Sequence, residues 1–447
     1  MEAVTHMASD YQAFLATKHK AFSGVGIVAD GLPSQLFEWQ DAITRWALRK
    51  GRAAIFADCG LGKSFMQIAW AQALDVPVLF FAPLCVGEQT VREAAKLGVR
   101  VQYATDHASA GDAQLVITNY ERIDRFDMSR YQGVVLDESS ILKSFDGATR
   151  TALIDACSAV PYRLCCTATP SPNDISELAN HAEFLGLMTR PEFLATWFIK
   201  VDQGLRTTDH HGWRLKRHAV EPFYRWLSTW AVALRRPSDI GYADDGFALP
   251  PLEIHDYIVD SDVRVSGALF PEAGLKGIQG RLSTRRGTLT DRVAATAAIV
   301  AAEPNESWIL WCGLNEESAA LAKAIPGAIE VTGNDSYAEK SGAVESFCNG
   351  TARVLISKPR ILGFGLNFQH CARMAFVGMS DSYEAYYQAV RRSWRFGQSR
   401  PVHAWIVVSE PERMIVENIR RKEAKAASLA DGLLTHMRAF EREELAS

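Results

Sequence analysis

Eight consecutive residues near the start of the chain could hold a phosphate: Ala57, Asp58, Cys59, Gly60, Leu61, Gly62, Lys63 and Ser64. Because Gly60 and Gly62 lack a Cβ, backbone N–H groups in this loop can turn toward an anion. Lys63 can reach the outer phosphates of a nucleotide, and the Ser64 hydroxyl can ligate Mg²⁺. Ala57 stands where the usual G-x-x-x-x-G-K-[ST] pattern has its first glycine. The loop predicts a nucleoside triphosphate site, and a tight turn with an exposed lysine is the alternative.

Two adjacent acids, Asp137 and Glu138, follow the apolar run 134–136. Asp137 could hold Mg²⁺ directly or through water, and Glu138 could orient or deprotonate an attacking water. An Asp-Glu pair alone is usually a solvated turn. Downstream of a phosphate loop and directly after a hydrophobic strand, the pair indicates catalysis.

Two arginines late in the chain, Arg392 and Arg395, are three residues apart on a helix predicted to begin near Ser382. This spacing places them on one helix face. Paired arginines suit the charge on a transferring γ-phosphoryl group. The alternative is a basic helix end, where arginines complement the helix dipole.

Short apolar runs that alternate with helical patterns must position these residues. The runs 53–56, 78–82, 115–118, 134–136 and 162–166 are followed by a second such series from about Asp291. This alternation predicts an α/β fold with parallel sheets. Ligands bind beyond the carboxyl ends of such strands. Further candidates at strand ends and in a nearby helix are Pro83, Asn119, Thr167, Thr169, Gly363, Gly365, Asn367 and Gln40.

Composition restricts the class of protein. The chain has 447 residues, a formal net charge of −4 and eight scattered cysteines without a C-x-x-C pair. Any nucleic-acid binding must therefore come from local basic faces, and neither a zinc ribbon nor a disulfide framework is expected. We expect no membrane segment and a cytoplasmic location, in a bacterial or phage-infected cell.

The segment from about Ile175 to Pro250 interleaves aromatic and basic residues. Such a mixture suits contact with nucleic acid. It equally suits a helical subdomain that buries its aromatic side chains and turns its basic side chains to water. The sequence leaves both interpretations open.

Taken together, these segments resemble the superfamily 2 helicases and translocases, most closely their SWI/SNF-like branch. Residues 57–64 resemble motif I, 137–140 motif II, 167–170 motif III and 363–368 motif V. Residues 388–398 match the Q-x-x-x-R-x-x-R-x-G-Q of motif VI at every fixed position. Motif II departs from the common D-E-x-H, because Ser140 replaces a histidine thought to couple hydrolysis to DNA.

The resemblance implies two RecA-like domains in tandem, with ATP and Mg²⁺ bound in the cleft between them. It makes Lys63, Ser64 and residues 58–62 ATP ligands, Ser64 and Asp137 metal ligands, and Glu138 the catalytic base. Arg392 and Arg395 become arginine fingers, and Gln40 an adenine contact. The segments with Pro83, Asn119, Thr167, Thr169, Gly363, Gly365 and Asn367 become coupling or nucleic-acid-facing parts.

The expected division has an N-terminal extension (1–35), a first RecA-like domain (36–174) and a helical insertion and linker (175–250). A connecting segment (251–290), a second RecA-like domain (291–430) and a C-terminal tail (431–447) follow. The leading hypothesis is an ATP-driven translocase on duplex DNA. The alternatives are a strand-separating DNA or RNA helicase, an ATPase of another P-loop family and a non-catalytic nucleic-acid-binding relative.

Overall fold

The computed structural model describes residues 24–83, 86–143, 147–201, 212–259, 285–362, 366–380 and 382–446. The chain divides into two compact units. The first comprises residues 1–244 with 426–447, and the second comprises residues 245–425. Gly363 and Gly365 lie outside the described residues.

The first unit contains a parallel sheet of seven strands in the order β3-β4-β2-β5-β6-β1-β9. Its strands are nearly continuous apolar runs, as expected where helices cover both faces of a parallel sheet. They are β1 (Arg52–Ala57), β2 (Val78–Ala82), β3 (Gln102–Tyr103), β4 (Leu115–Asn119), β5 (Gly133–Asp137), β6 (Tyr162–Cys166) and β9 (Ala231–Leu234). A separate antiparallel pair joins β7 (Phe198–Lys200) to β8 (Trp213–Leu215).

Helices connect these strands. They are α1 (Glu38–Lys50), α2 (Lys63–Leu74), α3 (Gly87–Lys96), α4 (His107–Ala110), α5 (Ala148–Ala156), α6 (Leu178–Phe184), α7 (Arg190–Trp197) and α8 (Val220–Ser228). The segment predicted as a helical insertion also contains β9, which pairs in parallel with β1.

The aromatic residues of the segment from Ile175 to Pro250 belong largely to the hydrophobic core of the first unit. Trp197, Phe223 and Trp230 are fully buried, and Trp226 is 5% exposed. Their rings make edge-to-face contacts, such as that of Trp197 with Phe223 at a centroid distance of 5.6 Å. Aromatic pairs of this kind add to the stability gained by burial. These rings are thus not a stacking platform for bases, and the structure favours the second of the two interpretations.

A long helix, α14 (Arg413–Ala446), closes the chain. Its residues from 426 onward pack in the first unit, where Leu433, Leu434 and Met437 join the apolar core. Near its end the Glu441 carboxylate accepts a hydrogen bond of 2.7 Å from the backbone N–H of Ala233. Ala233 belongs to β9, at the edge of the sheet, so α14 covers backbone that would otherwise offer an unpaired N–H. The residues that we expected as a C-terminal tail (431–447) thus include part of this core.

Burial raises the pKa of Glu441 to about 8, although the hydrogen bond from Ala233 acts in the opposite direction and lowers it. Between the ordinary glutamic acid pKa and about pH 8, Glu441 therefore keeps its proton in the folded chain but has lost it in the unfolded chain. The contribution of Glu441 to stability is then complete at acidic pH and is lost as the pH rises through about 8. Within that window it falls by up to about 1.4 kcal/mol per pH unit.

We predict that Glu441→Gln removes this loss, because an amide stays neutral and can still accept from Ala233. The free energy of unfolding is measured in urea between pH 5 and pH 8.5. The value for the variant minus the value for the native chain should increase as the pH rises. Glu443→Gln, an exposed position on the same helix, is the control and should follow the native curve. Parallel curves for native chain and Glu441→Gln would contradict the prediction.

The second unit contains a parallel sheet of six strands in the order β10-β15-β14-β11-β13-β12. The strands are β10 (Leu252–Val259), β11 (Trp308–Cys312), β12 (Ile329–Glu330), β13 (Val354–Ser357), β14 (Arg373–Val377) and β15 (Val402–Ser409). The helices are α9 (Leu289–Ala302), α10 (Asn315–Ala324), α11 (Tyr337–Cys348), α12 (Pro359–Leu362) and α13 (Tyr383–Val390). The predicted α/β fold with two parallel sheets is confirmed.

None of the helices that the structure describes is both long and apolar enough to cross a membrane.

Candidate functional site

The phosphate loop connects β1 to α2 at the carboxyl end of the sheet. Gly60 and Gly62 have φ angles of 88° and 70°, a backbone conformation that residues with a side chain rarely adopt. Ala57 ends β1 and is fully buried, paired with Leu234 of β9. An alanine therefore fits this position, because it is still part of the strand and needs no glycine conformation. The loop delivers the N-terminus of a twelve-residue helix, where an anion is stabilised.

Lys63 is folded back onto the loop. Its Nζ donates hydrogen bonds to the carbonyl oxygens of Ala57 (2.9 Å) and Asp58 (3.2 Å). Only 9% of the residue is exposed. Within the loop, the backbone N–H of Cys59 donates to the Asp58 carboxylate at 2.6 Å, while Leu61 is buried and Ser64 is half-buried. A phosphate bound here would replace carbonyl oxygens as the partner of the ammonium group.

Gln40 of α1 contacts the phosphate loop directly. Its amide Nε2 donates to the carbonyl oxygen of Leu61 at 3.0 Å, and its Oε1 accepts from the backbone N–H of Phe37 at 3.1 Å. A Cβ added to Gly62 would lie 2.4 Å from that same nitrogen. The glutamine is 3% exposed. The structure thus places Gln40 beside the loop, and a role in contacting adenine stays a prediction.

Asp137 ends β5 and is held by the helix that follows the phosphate loop. Gln67 of α2 donates from Nε2 to its Oδ1 at 2.7 Å. Burial raises the pKa of Asp137 to about 6, and the neighbouring Glu138 adds to the rise. The hydrogen bond from Gln67 and the charge of Lys63 oppose it. A buried carboxyl group next to a second, half-buried one is a place where a cation would be favourable.

Glu138 adopts a left-handed backbone conformation, with a φ angle of 54°. Such a conformation costs energy in a residue with a side chain, and it is often found at functional sites. Thr167, directly after β6, donates from Oγ1 to Glu138 Oε2 at 3.4 Å. The Thr167 Oγ1 in turn accepts from the backbone N–H of Thr169 at 3.1 Å. Both threonines are buried, so they support the acidic pair from the neighbouring strand.

The chemistry of this donor set fits Mg²⁺ and a triphosphate. Mg²⁺ prefers oxygen ligands and is commonly bound by one or two carboxylates with phosphate oxygens. The Asp137 carboxylate and the Ser64 hydroxyl would supply the protein ligands. When bound, the ion would neutralise charge that develops on the phosphate oxygens. The glycines of the loop and Lys63 would hold the phosphates.

Pro83 directly follows β2, and Asn119 is the last residue of β4. Both therefore lie at the carboxyl end of the first sheet. Asn119 is fully buried. Its Oδ1 accepts from the Tyr103 hydroxyl at 2.7 Å, and its amide donates to the carbonyl oxygen of Ala82 at 3.4 Å. In this structure the Asn119 side chain therefore joins three strand ends, and a role toward nucleic acid stays a prediction. Pro83 is half-buried.

In the second unit, α13 ends at Val390, so Arg392 and Arg395 lie in the turns after the helix, and the prediction that they share a helix face is wrong. Both arginines nevertheless bind the same backbone oxygen. Arg392 donates from Nη1 to the carbonyl oxygen of Leu366 at 3.1 Å, and Arg395 does so at 3.2 Å. Arg392 also donates to the carbonyl and side-chain oxygens of Gln388, each at 3.0 Å. Only 4% of Arg392 is exposed, whereas Arg395 is half-buried. Asn367, beside this carbonyl, is exposed.

Sequence reasoning missed two residues that contact Asp137, and a third that contacts Ser139 beside the acidic pair. Gln67 lies four residues after Lys63 on the same helix, so its helical spacing could have indicated it. The Tyr120 hydroxyl donates to the backbone oxygen of Asp137 at 2.6 Å. His181 Nε2 lies 3.1 Å from Ser139 Oγ, and burial lowers the pKa of His181 to about 4, so its ring is neutral. No local pattern indicates these last two contacts.

Residues 294–397 match the family model described as the helicase conserved C-terminal domain. This fold is RecA-like, so the second unit carries a helicase-type C-terminal domain, and the two parallel sheets are those of two RecA-like domains. The match supports a nucleic-acid-related, ATP-driven function. Comparison with curated proteins finds no significant match.

Proposed function

We propose that this protein is a motor that hydrolyses ATP with Mg²⁺ and moves along duplex DNA. The observation that carries the ATPase part is the hydrogen bond from Gln67 to Asp137. It ties the helix of the phosphate loop to the acidic pair, as a site that handles both phosphate and metal requires. The nucleic-acid part rests on the helicase-type domain of the second unit.

Each residue then has a defined task. Lys63 and the backbone of the loop bind the phosphates, Ser64 and Asp137 bind Mg²⁺, and Glu138 accepts a proton from the attacking water. Arg392 and Arg395 stabilise the charge on the transferring phosphoryl group. The preference for duplex over single strands, and for DNA over RNA, follows the resemblance to the SWI/SNF-like branch.

The test compares the rate of ATP hydrolysis without nucleic acid with the rates in single-stranded DNA, duplex DNA and RNA. We predict the largest stimulation with duplex DNA, together with displacement of a third strand from a triplex substrate, which reports movement along duplex. The Glu138→Gln variant serves as the background control in every assay.

Other outcomes would change the proposal. Displacement of a strand from a labelled fork would identify a strand-separating helicase. Stimulation by RNA alone would replace DNA as the substrate. Hydrolysis that no nucleic acid stimulates would remove the motor assignment and leave an ATPase.

A further inference from the structure

Three potential metal ligands meet at the edge of the second sheet, on residues to which the proposed ATPase assigns no role. Glu253 and His255 belong to the edge strand β10, and His403 belongs to its neighbour β15. One ligand atom of each lies within 4.8 Å of the others. We propose that these three residues bind a divalent transition metal ion of the zinc type, with water completing the coordination.

The strand pairing explains why these side chains converge. Side chains two residues apart on a strand point to the same face of the sheet, so those of Glu253 and His255 lie on one face. Glu253 and His403 are paired directly in the parallel register of β10 with β15. That register continues over eight residue pairs, from Leu252 with Val402 to Val259 with Ser409. The site therefore stands on a regular scaffold, not on a loop.

The distances suit a metal ion bound by two imidazoles and a carboxylate. With bonds of about 2.0 Å in a tetrahedral arrangement, neighbouring ligand atoms lie about 3.3 Å apart. His255 Nε2 is 3.0 Å from His403 Nδ1, and His403 Nδ1 is 3.4 Å from Glu253 Oε2. The remaining distance, from His255 Nε2 to Glu253 Oε2, is 4.0 Å. The three values bracket the expected separation, so small side-chain rotations suffice.

Neighbouring side chains favour this use. Trp405, the register partner of His255, stacks against both imidazoles at centroid distances of 4.8 Å and 5.8 Å and restricts their rotation. Arg373, the register partner of His403 on β14, would repel a cation, but it is paired with Glu303 at 2.6 Å. The Glu253 side chain is 51% exposed and the His255 side chain 39% exposed, so an ion can reach both from solvent.

The choice of metal follows from the ligand types. Two histidines and one carboxylate are a set known for zinc, whereas Mg²⁺ and Ca²⁺ prefer oxygen ligands alone. Bound across β10 and β15, the ion would fasten the edge strand to the rest of the sheet. This inference does not depend on the proposed motor function, because its test measures binding of the ion and not hydrolysis.

The experiment uses the full chain without an affinity tag, stripped with EDTA and dialysed. Zn²⁺ is titrated in competition with a chromophoric chelator, and Co²⁺ is added separately to record its visible absorption. We expect one Zn²⁺ per chain, tetrahedral Co²⁺ bands and a Zn²⁺-dependent rise in the melting temperature. His255→Gln and His403→Gln should each weaken Zn²⁺ binding by more than about tenfold, because each removes one of three ligands.

His218→Gln is the matched control, an exposed histidine of the first unit, and should bind Zn²⁺ like the native chain. Glu253→Gln changes only an exposed carboxylate, so it tests the site even if a histidine variant fails to fold. Failure of the native chain to bind stoichiometric Zn²⁺ would reduce the cluster to a hydrogen-bonded histidine pair. Equal binding by the native chain, Glu253→Gln and every folded histidine variant would place the ion elsewhere. Either result overturns the proposal.

Discussion

Glu138→Gln is expected to lower the rate of ATP hydrolysis by at least about 100-fold, the usual size of a general-base contribution. The amide has nearly the size of the carboxylate but cannot accept a proton from the attacking water. Because Gln67, Lys63 and the phosphate loop are unchanged, the affinity for ATP should stay close to the native value. Steady-state hydrolysis and equilibrium binding of a fluorescent ATP analogue measure the two quantities.

Glu121→Gln provides the matched control for that experiment. Glu121 is an exposed glutamate just after β4, at the carboxyl end of the same sheet, and its variant should hydrolyse ATP at the native rate. Normal turnover by Glu138→Gln would refute the proposed base. Lost nucleotide binding together with a lowered melting temperature would instead show that the strained backbone at Glu138 tolerates no change.

The phosphate loop and most strands of the two sheets were predictable because their signals are contiguous in sequence, whereas some strands, among them β3, β9 and β10, were not predicted. The apolar run, Gly60 and the Gly-Lys-Ser of residues 62–64 all lie within residues 53–64, and each imposes its local conformation almost independently of the rest of the chain. The position of Asp137 and Glu138 at a strand end follows from the same kind of local reading. Gln67 belongs to this group too, since helical spacing from Lys63 places it on the site.

The supporting contacts were not predictable in this way. His181 reaches Ser139 across 42 residues of sequence, and only the packing of α6 under the sheet brings them together. Ser140 stands where the D-E-x-H pattern that residues 137–140 resemble has a histidine, yet a neutral histidine from another element contacts Ser139 beside it. Asn119 ends a strand at the edge where ligands were expected, but it is fully buried and its amide bonds to Tyr103 and Ala82.

The middle of the chain shows the limit of composition as a guide. Interleaved aromatic and basic residues fit a nucleic-acid face and a buried core equally well, and burial alone separates the two. β9 was hidden for a related reason. In the sequence its four residues, Ala231–Leu234, are one more short apolar stretch among helical segments. Only the fold shows that they pair with β1 and that Ala233 donates a hydrogen bond to Glu441 of α14.

Arg392→Lys is expected to reduce the hydrolysis rate by about 1,000-fold or more, the contribution typical of an arginine finger. Lysine keeps the positive charge but loses the planar fork that can hold two oxygens at once. In this structure the fork binds Gln388 and the carbonyl oxygen of Leu366, so it must release partners before it can contact phosphate. Arg395, which is half-buried and shares the Leu366 carbonyl, should show a smaller loss when changed to lysine.

The two possible roles of Arg392 differ in what else changes. If the arginine acts on the phosphoryl group, kcat falls while the affinity for the ATP analogue and the melting temperature stay near the native values. If it only holds residue 366 against α13, the melting temperature falls and kcat per folded molecule does not. Arg400→Lys is the matched control, because Arg400 is an exposed arginine of the same unit paired with Glu306 at 3.0 Å. A native kcat in folded Arg392→Lys would therefore remove Arg392 from the proposed mechanism and leave Arg395 as the remaining candidate.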